Sequence, residues 1–477
     1  MVQGGVMGRV VVADDALQDR LTAQAKAGTF QIGLIIGQNT REKDIIVHLA
    51  PTPVPDEGDL SSEDEEVMPS SREELSKNKY PDSLPKVVEG TVSQHARQVV
   101  RMLPGGLDII GVYVVTPQAD FTSSSSQSKL RLILGATHKT TSRILLETAE
   151  SKTEKVILHV CTQSFKIVCK TLDLSPTETS TQENGDLKFQ RGGSKWQQLS
   201  YAYNINLNFW LPKDKPSQSL YKTILTLIKP WAKSVTQSLI LINSENPEDE
   251  DLLDSSVEEK PTKKKGGNRG LMELVPPKAY KVEILDPCTT LVSSSGLNDM
   301  AGSIRLSGTL AGLAFLHNKA TVGEARAAVL LDLVRSVVSR WEMHCDSLVE
   351  EPPSHLIGPI IHEPPRRVFL EGGGLPVSLC DYLFPGDSCG DACQSAKELL
   401  SLKIRKEHVD DSQETLADAS EVMCSADISV DGPEELESQG ISREGPCSST
   451  QLLLILAVAA VGVGVSFVSL QGSQGLT

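Results

Sequence analysis

Several short groupings of reactive side chains invite a chemical reading. His344-Cys345-Asp346 and the run Gly386-Asp387-Ser388-Cys389-Gly390 hold the residue types of an acyl-transfer triad, in which an imidazole takes the proton of a serine hydroxyl. His344 and Ser388 stand too close in sequence for the two-barrel scaffold that holds such a triad, which is defined by geometry rather than by fragments. Cys380, Cys389 and Cys393, with His355 and His362 upstream, are zinc-ligand types. They lack paired C-x2-C knuckles, so the pattern favours a structural loop with free thiols. GLIIG, Gly33 to Gly37, lacks the Lys and Ser or Thr of a phosphate loop and lies in an apolar strand, where tight backbone packing is its role.

Charge narrows the classes further. The 477 residues hold 46 Lys plus Arg against 62 Asp plus Glu, a net charge of -16, and the acids concentrate in Asp56–Ser76, Glu245–Arg269 and Lys403–Glu444. The compact basic run Lys263–Lys265 lies in a Gly-containing linker. A chain without a clustered basic face is not built for nucleic acid, because phosphate binding needs gathered Lys and Arg.

The elements that position these residues follow from hydrophobic periodicity. GRVVVADD predicts a strand and the stretch to Ala27 a helix; TFQIGLIIGQ and KDIIVHLAP predict a hairpin. Val92, Ala96, Val99, Val100 and Leu103 share a helical face that Pro104-Gly105-Gly106 ends, and LDIIGVYVV predicts a buried strand. Beyond a Ser-rich loop at Ser123–Ser128, LRLILGA, KVILHVCT, FKIVCKTLD and LSYAYNINLNFWL predict four more strands, and Ser219–Leu241 a closing helix. SIRLSGTLAGLAFLH predicts a strand, and Glu324–Met343 a helix.

This gives an α+β fold class and an expected domain plan. Residues 1–244 form a first domain with an acidic loop at 56–76, 245–269 a linker, 270–402 a smaller accessory α+β domain, and 403–450 an acidic, disordered tether. In the acidic loop, Ser61 and Ser62 precede four acids, a target for an acid-directed kinase against the alternative of a plain solvated spacer. Leu452 to Leu470 is uncharged and apolar, close to the ~20 residues that span a bilayer, and predicts a single transmembrane helix as membrane anchor. The N-terminal residues lack a basic leader followed by an apolar block, so the expectation is a tail anchor with the bulk of the chain cytosolic. Nine scattered cysteines then stay reduced.

The order strand, helix, GLIIG strand, strand, helix and GVYVVTP resembles the MPN fold of metal-dependent deubiquitinases. Active members read G-W-Y-H-S-H-P at the last piece, and the two histidines bind zinc. Gly111, Tyr113 and Pro117 match, but Val114 and Thr116 stand at the histidine positions, Gln127 at that of the aspartate three residues after Ser124, and Phe30 at that of the glutamate. The resemblance therefore implies an MPN-like pseudo-enzyme with no metal, no cofactor and no catalytic residue, since Val and Phe cannot coordinate zinc.

A second resemblance spans nearly the whole chain. VVADD, FQIGLIIGQ, GLDIIGVYVV, SYAYNINLNFWLP, IRLSGTLAGLAFLHNKATVGEA, the helix ending SRWE and the terminal apolar segment together are similar to the odorant-response-abnormal protein four homologue family. It implies a non-enzymatic adaptor at the endoplasmic reticulum membrane. Its implied partners are a cytosolic ubiquitin-fold-modifier-specific protease and a subset of G-protein-coupled receptors. The alternative is a direct receptor chaperone acting through the membrane helix, where Ala460 and Gly464 form a small-x3-small pair, and the accessory domain. A metal-dependent hydrolase is the remaining class.

Overall fold

The computed structural model describes residues 9–53, 81–145, 152–175, 182–191, 194–212, 219–254, 276–287, 300–350 and 364–416. The Val run forms β1 (Val10–Asp14), and Asp14 then caps α1 (Asp15–Ala27) by accepting from the Ala16 amide. Gly28, at φ 69°, ends that helix in the left-handed region that glycine tolerates. The expected hairpin follows as β2 (Gln31–Asn39) and β3 (Lys43–Pro51). Helix α2 (Glu89–Arg101) precedes β4 (Asp108–Thr116), which leads through the short α3 (Gln118–Thr122) into α4 (Ser124–Ser142). Strands β5 (Glu154–Cys161), β6 (Ile167–Asp173), β7 (Glu183–Asn184) and β8 (Asp186–Gln190) complete the first sheet.

One expectation fails here. LRLILGA and the Ser-rich stretch before it are not strand and loop but the single helix α4. Leu130, Ile133, Leu134, Thr137 and Thr141 are buried at helical spacing, whereas Leu132, between them, is 59 % exposed. A short apolar run does not separate helix from strand by itself, and Ser123 supplies the N-cap that the loop reading overlooked.

The eight strands pair in the order β7-β6-β5-β4-β2-β3-β1-β8. Because β7 joins β6 and the adjacent β8 joins β1, residues 183–190 tie the two far strands together and the sheet curls on itself. Its concave side encloses a core of Val11, Ile35, Ile110, Tyr113, Leu158 and their neighbours, plugged by Leu17, Leu21 and Ala25 of α1. Gly111 is required there by close approach: a Cβ on it would collide with the backbone of Val156.

The remaining elements are β9 (Trp196–Pro212), α5 (Leu220–Val235), β10 (Leu239–Ile242), β11 (Lys278–Leu285), β12 (Met300–His317), α6 (Val322–Glu350), β13 (Arg366–Leu370), β14 (Leu379–Leu383), α7 (Cys389–Leu400), β15 (Val409–Asp410) and β16 (Thr415–Leu416). A second sheet has the order β10-β11-β9-β12-β16, and a third β14-β13-β15. Strand β9 pairs along its whole length with β12, from Trp196 opposite His317 to Pro212 opposite Met300.

Two expected boundaries are thereby corrected. The stretch 245–269, read from sequence as a linker between domains, instead lies between strands that share one sheet, and a single apolar core runs from Ile32 through Trp231 to Leu402. Composition marks a polar insertion but carries no sign of long-range strand pairing. The stretch 403–416, read from sequence as the start of a tether, instead carries β15 and β16, which pair with β13 and β12, and buries Glu414; the rest of that expected tether lies outside the described residues. Glu414 places its carboxylate in the interior, accepting from Arg340 at 2.6 Å and from the Ala311 amide at 3.1 Å. A buried ion pair looks, in composition, like any solvated acid. Ser61, Ser62 and the Leu452–Leu470 segment lie outside the described residues. Among the described residues no helix is long and apolar enough to cross a membrane.

Candidate functional site

Strand β4 places the four positions at which the MPN resemblance puts metal ligands. It runs antiparallel to β2 with Val115 opposite Gln31, so Phe30, just before β2, reaches the same end of the ladder as Val114 and Thr116. On its other side β4 runs parallel to β5, with Val114 opposite His159. After Pro117 the chain turns into α3 and α4, and the Gln127 side-chain amide in the first turn of α4 donates to the Phe121 carbonyl. The structure thus gathers Phe30, Val114, Thr116 and Gln127 around one end of β4. None presents a metal-binding atom of the expected kind.

A ring stack fills this end of the sheet. Phe121 lies flat on His159, with centroids 4.0 Å apart and planes 4° from parallel, and the Lys170 ammonium sits 5.4 Å from the Phe121 centroid. His159 is fully buried, and its Nε2 bonds the Thr116 carbonyl at 3.0 Å. Burial lowers the His159 pKa, the carbonyl bond opposes that and Lys170 adds to it, so the imidazole is neutral at neutral pH. Nε2 is then the donor and Nδ1 keeps its lone pair; among the described residues neither Nδ1 nor the buried Thr116 hydroxyl has a hydrogen-bond partner.

One imidazole, one threonine hydroxyl and one committed carboxamide do not fit zinc, which takes three or four thiolate, imidazole or carboxylate ligands. Among the described residues no group of three or more His, Cys, Asp or Glu could hold a metal ion. His159 and Phe121 escaped the sequence analysis, although the histidine inside the apolar run KVILHVCT was a visible signal. Beside the stack, a groove of about 660 Å³ runs between α4 and β6, lined by Gln127, Arg131, Leu132, Lys170 and Gln182.

The other sequence candidates are dispersed and structural. Ser388 is the N-cap of α7 and forms a reciprocal capping box with Asp391, which explains the GDSCGD run without catalysis. His344 packs edge-on against Trp341 on α6, and Asp346 faces Arg97 and Arg101. Cys380 is buried against the Arg367 guanidinium at 3.0 Å, and burial pushes its thiol up to about 11, so it is inert rather than nucleophilic. Cys389 and Cys393 are half-buried on α7, while His355 and His362 lie outside the described residues. GLIIG packs as expected: a Cβ on Gly33 would meet the Ala50 carbonyl and the Tyr113 ring.

A buried ionic network was also missed. Arg367 on β13 grips Asp332 of α6 through two bonds of 2.8 and 2.9 Å, and Tyr201 of β9 donates to the same carboxylate at 2.8 Å. Next to it, Arg340 holds Glu414 with both side chains wholly buried. Asp332 and Arg340 stand within an apolar helical stretch, and that oddity was their signal.

Fold and site define a mixed α+β protein whose curled sheet carries a filled, ligand-poor cleft where the resemblance would put a metal. The model of the family described as ODR4-like, odorant response abnormal 4-like, matches residues 33–411, and the chain belongs to that family. It is 29 % identical to the protein odr-4 homolog of Homo sapiens over 97 % of this chain and 99 % of that one. It is 22 % identical to odorant response abnormal protein 4 of Caenorhabditis elegans over 68 % of this chain and 65 % of that one. A crystal structure of UfSP from C. elegans aligns at 7 % identity and a TM-score of 0.37, covering 83 % of this chain and 57 % of that one.

Proposed function

We propose that this protein is a non-catalytic adaptor at the endoplasmic reticulum membrane. It holds a ubiquitin-fold-modifier-specific protease there and supports the trafficking of a subset of G-protein-coupled receptors. The carrying observation is the end of β4, where Val114, Thr116, Phe30 and Gln127 replace ligating side chains and the Phe121–His159 stack takes up the space. An MPN-like pseudo-enzyme has a partner-binding scaffold without a reaction of its own. Family membership supports the trafficking role, since a relative bears the name odorant response abnormal protein 4. The apolar Leu452–Leu470 segment serves as a membrane anchor, with the folded region on the cytosolic side. Membranes from cells expressing the full chain should yield the modifier protease on affinity purification, and a chain ending at Gln451 should leave that protease in the cytosol. An unchanged membrane-bound protease with the shortened chain would defeat this function.

A further inference from the structure

As a zinc set the cysteines are dispersed, but two of them share one helical face. Cys389 is the first residue of α7 and Cys393 lies four residues on, so the two side chains are neighbours across one turn. Both are half-buried, whereas Cys161, Cys169, Cys345 and Cys380 are buried. The helix fixes how far apart the two thiols stand. Side chains at this spacing carry their Cβ atoms ~5–6 Å from each other, more than the ~3.5–4.5 Å that a disulfide requires. A metal ion in line between two sulfurs needs them roughly 4.6 Å apart, twice a metal–thiolate bond of ~2.3 Å, and rotation about each Cα–Cβ bond brings helical neighbours to that separation.

The surroundings suit a pair of thiolates around a cation. The first turn of α7 is the positive end of its helix dipole, which favours a thiolate. The Lys406 ammonium lies against the same turn, since a Cβ on Gly390 would stand 2.9 Å from its Nζ. Burial raises the Cys393 pKa and the neighbouring Cys389 adds to the rise; Lys406 opposes it, and Glu407 adds a little more. Two thiolates so placed repel each other, and a cation between them removes that cost. Ligand number and softness then select the cation. Zinc takes four ligands, and this pair supplies two. Thiolates favour monovalent copper, which two sulfurs in line satisfy. The resulting complex carries one net negative charge, which Lys406 and the helix end offset.

We infer that Cys389 and Cys393 form a two-coordinate site for the cuprous ion at the first turn of α7. It rests on this pair alone and stands or falls separately from the adaptor function. The test offers copper to the reduced full chain in detergent, without oxygen, as the cuprous bicinchoninate complex, whose colour fades as copper leaves it. Cys288, Cys424 and Cys447 lie outside the described residues, so the parent for the titration carries serine at all three. This parent should withdraw one cuprous ion per chain. Cys389→Ser or Cys393→Ser alone should abolish the uptake with the melting temperature unchanged, and Lys406→Met should weaken it about threefold. In the unsubstituted chain, copper should protect Cys389 and Cys393 together from iodoacetamide, read by peptide mass, which keeps the test independent of how the variants fold. Zinc offered from a chelator of matched strength should stay with the chelator. No uptake by the parent, uptake that survives either serine variant, failure to protect both thiols, or equal withdrawal of zinc would overturn the site.

Discussion

Replacing Glu414 by glutamine should destabilise the whole described fold, although the residue lies in a stretch that reads as solvated tether. Its carboxylate is wholly buried, 2.6 Å from the equally buried Arg340 guanidinium, and it also accepts from the Ala311 and Arg367 amides. Those bonds join β12, α6 and β13, so the pair clamps the second sheet to the third. Removing one partner of a buried pair strands the other charge and costs about 3–5 kcal/mol, set against a total stability of roughly 5–15 kcal/mol. Thermal unfolding followed by circular dichroism should show Glu414→Gln melting several degrees lower. Arg340→Met combined with Glu414→Gln should recover most of the loss, because no charge is then left buried alone. A chain ending at Asp411 should melt well below one ending at Ala419. If the chains ending at 411 and 419 melt together, or if Glu414→Gln melts like the parent, the C-terminal strands do not belong to the core.

Acidification should weaken the docking of α7, because His48 and His95 bond the Leu400 and Leu399 carbonyls at its end and burial lowers both pKa values to about 4. Their stabilisation is present above the unfolded value near 6.5 and lost as pH falls through 4, about 3 kcal/mol each. Asp381, raised by burial to about 7, acts in the opposite sense and loses its contribution as pH rises from 3.8 to 7, so melting measured from pH 7 to 4 should show a net loss of about 2 kcal/mol, which His48→Gln with His95→Gln should turn into a net gain of about 3 kcal/mol. Phe121→Ala should open His159 to water and raise its pKa toward 6.5, read from the imidazole proton shifts; an unmoved pKa would mean that the stack does not bury the ring. Gly111→Ala should cost more than about 2 kcal/mol in chemical denaturation because of its approach to the Val156 backbone, and a neutral result would contradict the β4–β5 register.

Local pattern carried most of the elements. The alternation in SYAYNINLNFWL and the apolar face of Val92 to Leu103 correspond to β9 and α2, because each buries one face and exposes the other. What local pattern lacks is distance. The pairing of β9 with β12, the curling of the first sheet through β7 and β8, and the capture of Glu414 by Arg340 all join residues far apart in sequence. The ligand-poor site was legible by substitution, since Val114 and Thr116 can be read directly, but not what occupies it. Phe121 and His159 meet only because α3 folds back over β5.

Absence of metal chemistry at the end of β4 is tested most directly by the zinc content of the full chain purified from cells under metal-replete conditions. Elemental analysis should find well below one zinc per chain, with no change on Thr116→Val or His159→Gln. One zinc per chain, lost in either variant, would contradict a site closed by Phe121 and His159 and would restore a metal-dependent reaction to this protein.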